Sequence, residues 1–238
     1  MSIDDQLSNC VSGATPATMD QVIECMKRID AVLPDSDGLK WFNRLYLTVT
    51  VSVRNQSPSG GWNRPEWLSR LDVDFANFYF DAVRAQVNGQ GKVPKAWNAL
   101  FEARQRAEID PIQFAIAGMN AHINHDLALV LLQVDAKFHV IPAEASLEHN
   151  DFTRVNIILR DLLPAALSQL NPGDLGRLAE RTGKIGRVLA MWNVKSAREF
   201  AWDFASHLRS LNAITRLGAV AMQDRITGVL GRSLLVAV

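Results

Sequence analysis

Pro111-Ile-Gln-Phe-Ala-Ile-Ala-Gly-Met-Asn-Ala-His-Ile-Asn-His-Asp-Leu-Ala-Leu-Val-Leu-Leu-Gln-Val-Asp-Ala-Lys137 reads as one long helix. Asp110 stands at the N-cap position and Pro111 in the first turn, a pairing that starts helices. Apolar residues go round nearly every side, which places the segment in a core. Its length approaches that of a membrane span, but Gln113, Asn120, His122, Asn124, His125 and Asp126 lie near its middle, where hydrocarbon would penalise them heavily. The stretch therefore predicts a buried helix in a water-facing protein.

A second helix, Trp67 to Val87, is apolar except for Arg70, Asp74, Asn77, Asp81 and Arg84. Their spacings of four, three, four and three put them on one self-pairing stripe. With the first it predicts the core, the two lying side by side. Start signals recur at Thr15-Pro16, Asn63 ahead of Pro65, Asn171-Pro172 and the capping box Ser196-Ala-Arg-Glu199. They predict helices near 16–33, 39–56, 65–87, 95–107, 111–137, 151–169, 173–191, 196–210 and 216–234. The breaks between them are short and rich in Gly, Pro, Ser and Asp, and no interdomain linker or repeat is visible. The expected fold is all-α: a single irregular bundle of about eight to nine helices over 1–238, with 1–14 as a flexible leader.

Composition narrows the function classes. The chain has 25 basic and 25 acidic residues, so no net field draws it to phosphate backbones or anionic lipid, and nucleic acid is not an expected partner. Cys10 and Cys25 have neither disulfide-framework nor metal-site spacing and predict free thiols in a reducing compartment. MSIDDQLSNC has no apolar signal region, so a cytoplasmic protein is expected. No Glu-x-x-His occurs, Leu178 stands where a phosphate loop ending at Gly183-Lys184 would need glycine, and neither Gly-x-Ser-x-Gly nor Gly-x-Gly-x-x-Gly is present. Asp72 and Asp74, two apart on a helix, point in nearly opposite directions and do not form a paired chelate.

The chemistry concentrates in the core helix. His122 and Asp126 are one turn apart with His125 beside them, an arrangement suited to acid–base work or to gripping a divalent metal such as zinc. A metal at that pair would imply a hydrolase, lyase or cyclase, with further ligands sought among Asp74, Asp81, His149, Asp151 and His207. Gly118, one turn before His122, leaves a notch for a ligand or a neighbouring backbone. The only tyrosines, Tyr46 and Tyr79, sit in apolar helices and need buried partners; Tyr79 is the first choice to face the cluster. Asn43, Tyr46, Asn77, Asp81, Asn120 and Asn124 complete the candidate ligand-contacting set. His139 fits a helix exit. The competing reading makes the His/Asn/Asp cluster a satisfied polar network that sets helix register.

Trp41-Phe-Asn-Arg-Leu-Tyr46, Leu71-Asp-Val-Asp-Phe-Ala-Asn77 with Tyr79, Val93-Pro-Lys-Ala-Trp97 and Gln113 to Asp126 together resemble a bacterial family of domains of unknown function, number 5995. Asp151 to Asn156 and Trp192 to Trp202 match it more loosely. The resemblance implies a helical fold and no settled activity. Two expectations from different classes follow. One is an enzyme acting on a small, largely apolar molecule in a helical pocket through His122, His125, Asp126 and Tyr79. The other is a non-catalytic ligand-binding or scaffold protein. Oligomeric state is not legible.

Overall fold

Residues 111–138 form the central rod. Helix α6 (Pro111–Ala121) is buried at every residue from Ile112 to Ala121; it widens into a π turn (His122–Asp126) and continues as α7 (Leu127–Phe138). The helix starts where Asp110-Pro111 predicts, and the Gln113 side chain accepts from the Asp110 amide there at 3.1 Å. The computed structural model describes residues 1–56, 60–89, 91–170 and 193–237, and the helix expected at 173–191 lies outside them. Among the described residues there is no strand, and nine helical rods form one all-α bundle.

Around the rod stand α1 (Ile3–Val11), α2 (Met19–Val32), α3 (Gly38–Asn55), α4 (Pro65–Asn88), α5 (Lys95–Ala103), α8 (Leu147–Leu170), α9 (Val194–Ser210) and α10 (Ala213–Leu234). Several boundaries move from their expected places because a nearer cap exists. Thr18 caps α2, Ser146 caps α8 through the His149 amide, and Asn193 caps α9 ahead of Ser196. Residues 1–14, expected as a flexible leader, instead contain α1. Ser2 and Asp5 form its capping box, Leu7, Cys10 and Val11 are buried, and Asp4 pairs with Arg104 at 2.8 Å. An amphipathic turn with a good cap and a core to cover packs rather than frays.

Glycines set how closely the helices approach the rod. A Cβ on Gly118 would sit 2.3 Å from Phe42 of α3, and one on Gly38 would sit 2.3 Å from Phe114. The notch expected at Gly118 is thus filled by a phenyl ring of this chain. On the other side, a Cβ on Gly228 would meet the Lys95 carbonyl at 2.6 Å and one on Gly231 the Ala99 side chain at 2.9 Å, so α10 lies close on α5. The α4 stripe pairs within itself, Arg70 with Asp74 at 2.6 Å and Arg84 with Asp81. Helix α4 lies beside the rod, where Trp67 Nε1 donates to Asp135 at 3.0 Å and Lys137 reaches Asp74 at 2.6 Å. Among the described residues no helix is long and apolar enough to cross a membrane.

Candidate functional site

The π turn coincides with His122-Ile-Asn-His-Asp126. The Leu127 amide bonds the His122 carbonyl five residues back, the mark of the wider turn, which recurs at functional sites. Its effect is to converge side chains on one carboxylate. Asp126 Oδ2 accepts from His122 Nδ1 at 3.0 Å and from Trp97 Nε1 of α5 at 2.9 Å; Oδ1 meets His125 Nδ1 at 2.7 Å. Helix α10 closes the far side. Asp224 lies 3.6 Å from His125 Nε2 and accepts the Ala96 amide, while Gln223 donates to the Asn124 carbonyl at 2.7 Å.

The two histidines are driven apart electrically. Burial pulls the His122 pKa down and outweighs Asp126, so its imidazole is neutral near pH 7. Burial pulls on His125 as well, but Asp126 and Asp224 outweigh it and the net direction is up. Burial pushes Asp126 upward, and the hydrogen bonds from both histidines more than reverse that. A neutral His122 donating Nδ1–H to a carboxylate must carry its lone pair on Nε2. That Nε2 is buried and has no hydrogen-bond partner.

The His122 ring forms part of the wall of a cavity of about 50 Å³ between α3, α4, α8, α9 and the rod. At roughly 10 to 15 Å³ per water, this is room for a few waters or a compact small molecule. Val49, Val53, Phe75, Met119, Ile123, Val155 and Leu159 make most of the wall. The polar groups on it are Tyr46, Thr50, Asp72, His122 and Arg198. Met19, Val53 and Asp72 keep part of their surface exposed. Tyr46 packs edge-on against His122 with ring centroids 4.6 Å apart.

The structure brings together His122, His125, Asp126 and Tyr46, and it disperses the other candidates. Tyr79 turns away from the cavity to stack on Trp97 and to donate to Asn43 Oδ1 at 3.3 Å, so Tyr46 and not Tyr79 faces the cluster. Asn43 also donates to the Met26 carbonyl, tying α2 to α3. Asn77 donates to the Pro16 carbonyl, and Asp81 is an exposed ion-pair partner. Asn124 donates to Asn120, which donates to the Thr227 carbonyl; both serve the α10 contact.

The metal expectation meets a donor set engaged within the protein apart from His122 Nε2. His122 and Asp126 are bonded to each other through the atoms that would grip an ion between them, and the remaining Asp126 oxygen holds His125. Asp74 is held by Arg70, Lys137 and Gln133, and Asp151 accepts from Asn63 and Arg64 at the start of α4. His149 accepts from the Ala145 amide, and His207 and Asp81 are exposed. Among the described residues no group of three or more His, Cys, Asp or Glu is placed to hold a metal.

Sequence reasoning missed Asp72, Arg198, Trp97 and Asp224. Arg198 carried a readable signal: with Ala201, Trp202 and Ala205 it occupies the i, i+3, i+4, i+7 stripe that α9 buries. An arginine on an apolar stripe asks for a partner. Asp72 and Asp74 do diverge as their spacing requires, Asp72 to the cavity and Asp74 to surface cations.

No curated protein and no solved structure matches this chain significantly. Residues 19–237, nearly the whole chain, match the model described as "Family of unknown function (DUF5995)", and the protein belongs to that family.

Proposed function

We propose that this protein is an enzyme that acts on a small, largely apolar molecule bound in the cavity beside His122. His122 serves as its acid–base group and Asp126 as its positioning residue. The observation that carries the reading is the buried, unpartnered Nε2 of His122, whose ring forms part of the cavity wall and whose tautomer is set by a carboxylate that Trp97 and His125 hold in place. A neutral imidazole oriented by a buried carboxylate is the arrangement general-base catalysis uses. A π turn at the same five residues adds to it. Both cysteines are free and buried, and burial raises the Cys25 thiol to about 11, far from the reactive range, so neither is offered as a nucleophile.

The test is a comparison of the parent with His122→Gln on a mixture of small metabolites followed by mass spectrometry. Depletion of a compound by the parent and not by the variant supports catalysis, and identical profiles overturn it.

A second reading, a non-catalytic binding protein, is favoured by one observation: Phe75 lies flat on His122 and leaves Nε2 without exposed surface. Saturable binding of a small molecule that neither protein converts would select it.

A further inference from the structure

We infer that the cavity takes a short-chain monocarboxylate, with its carboxylate on Arg198 and its alkyl tail among Val49, Val53, Ile123, Val155 and Leu159. This deepens the reading of the cavity as a ligand site and rests on it.

Arg198 is buried, with 7% of its surface exposed, and its guanidinium is locked. Nε donates to Asn156 Oδ1 at 2.8 Å, Nη2 donates to the Phe152 carbonyl at 3.0 Å, and the guanidinium carbon stands 4.2 Å over the Phe152 ring. All three contacts are with neutral groups. Among the described residues no carboxylate comes within 4.0 Å of it, although Asp72 lines the same cavity. A buried guanidinium without a counter-anion is costly, and fixing it so firmly makes sense when an anion arrives to meet it.

Asp72 does not fill that role. Its carboxylate makes no hydrogen bond or ion pair within the described residues. The two charges also differ in how they respond to burial. Arginine keeps its proton near neutral pH even though burial lowers Arg198 to about 10. Asp72 can shed its charge, because burial raises it to about 7 against the pull of Arg198. Near pH 7 Asp72 is about half ionised while Arg198 is fully protonated, so the cavity keeps a net positive charge that an anion complements.

The rest of the wall fits the rest of such a ligand. The Tyr46 and Thr50 side chains reach the cavity and make no hydrogen bond within the described residues, so they can serve a carboxylate oxygen. The remaining wall is aliphatic and aromatic, and a space of about 50 Å³ suits a chain of a few carbons.

The experiment is calorimetric titration of the full chain with butyrate and with butyramide, its uncharged isostere, on the parent, Arg198→Gln, Arg198→Lys, Asp72→Asn and His122→Gln. The expected result is saturable butyrate binding and butyramide weaker by about tenfold or more. Arg198→Gln should lose about tenfold or more, Arg198→Lys less, and Asp72→Asn should bind at least as well as the parent. Equal affinity for the two compounds on the parent overturns the inference even if the Arg198 variants do not fold, and so does the absence of saturable butyrate binding. The two proposals fail separately. Butyrate binding that depends on Arg198, in a protein with no His122-dependent turnover, keeps the anion site and removes the enzyme. Binding of a neutral apolar molecule without any carboxylate binding keeps the cavity and removes the anion.

Discussion

The ring of Phe75 lies on the ring of His122 with centroids 3.5 Å apart and planes 5° from parallel. A phenyl group laid flat on an imidazole excludes water from that face and so contributes to the burial that lowers the His122 pKa. Phe75→Ala should therefore raise the His122 pKa toward its ordinary 6.5, followed by NMR titration of the ring proton. It should also lower stability by about 3 kcal/mol, since Phe75 is buried. A His122 pKa unmoved by the change would show that Asp126 and the remaining core set it alone.

Three donors meet two oxygens at Asp126. Asn in its place keeps the shape but offers one acceptor and turns an amide against a donor. Asp126→Asn should cost about 3 kcal/mol in denaturant unfolding, while Trp97→Phe, which removes one donor, should cost about 2 kcal/mol. A variant as stable as the parent would mean that the network does not hold the π turn.

Asp72 gives stability a pH dependence of known sign. Its folded pKa, about 7, lies above the ordinary 3.8, so the folded state binds the extra proton. Its contribution is fully present below about pH 4 and is lost as pH rises toward and through 7. Asp72→Asn removes the charge that burial opposes and should be more stable than the parent by roughly 1 to 2 kcal/mol above pH 7, the gain shrinking toward zero near pH 4. Chemical denaturation across pH 4 to 8 reads this directly, and a constant difference would refute it.

Two glycines make opposite predictions. A Cβ at Gly118 meets the Phe42 ring, so Gly118→Ala should cost about 1 to 3 kcal/mol by overpacking. At Gly218 in α10 a Cβ meets nothing within 4 Å, so Gly218→Ala should gain up to about 1 kcal/mol from helix propensity. A pair of thermal melts separates them.

Helix α4 has no cap from its own N-cap residue, Arg64. Asp151 of α8 supplies it instead, accepting from the Asn63 and Arg64 amides at 3.0 and 2.6 Å and from Asn63 Nδ2 at 2.8 Å. Asp151→Ala should cost about 2 to 3 kcal/mol and loosen the start of α4, visible as faster amide exchange near Trp67.

The amino-acid sequence alone determined the core and most of the described helices, though not α1, expected as a flexible leader. Asp110-Pro111 and the apolar faces of 111–137 and Trp67 to Val87 are local facts of spacing, and hydrophobic burial acts on them wherever the chain goes. It also marked His122, His125 and Asp126 as the place where polarity is concentrated, because their spacing along one helix is itself local. What surrounds that place was decided by tertiary structure. Trp97 comes from α5, Asp224 from α10, Asp72 from α4 and Arg198 from α9, and no periodicity within one helix says which other helix it will face. The choice of Tyr46 over Tyr79 has the same origin. Both tyrosines lie on buried faces, and only the packing of α3 and α4 against the π turn puts the Tyr46 side chain on the cavity wall and sends the Tyr79 hydroxyl to Asn43. The π turn lay beyond sequence reading as well, since a single extra residue in a turn leaves an apolar pattern almost unchanged while it redirects the side chains that bond Asp126.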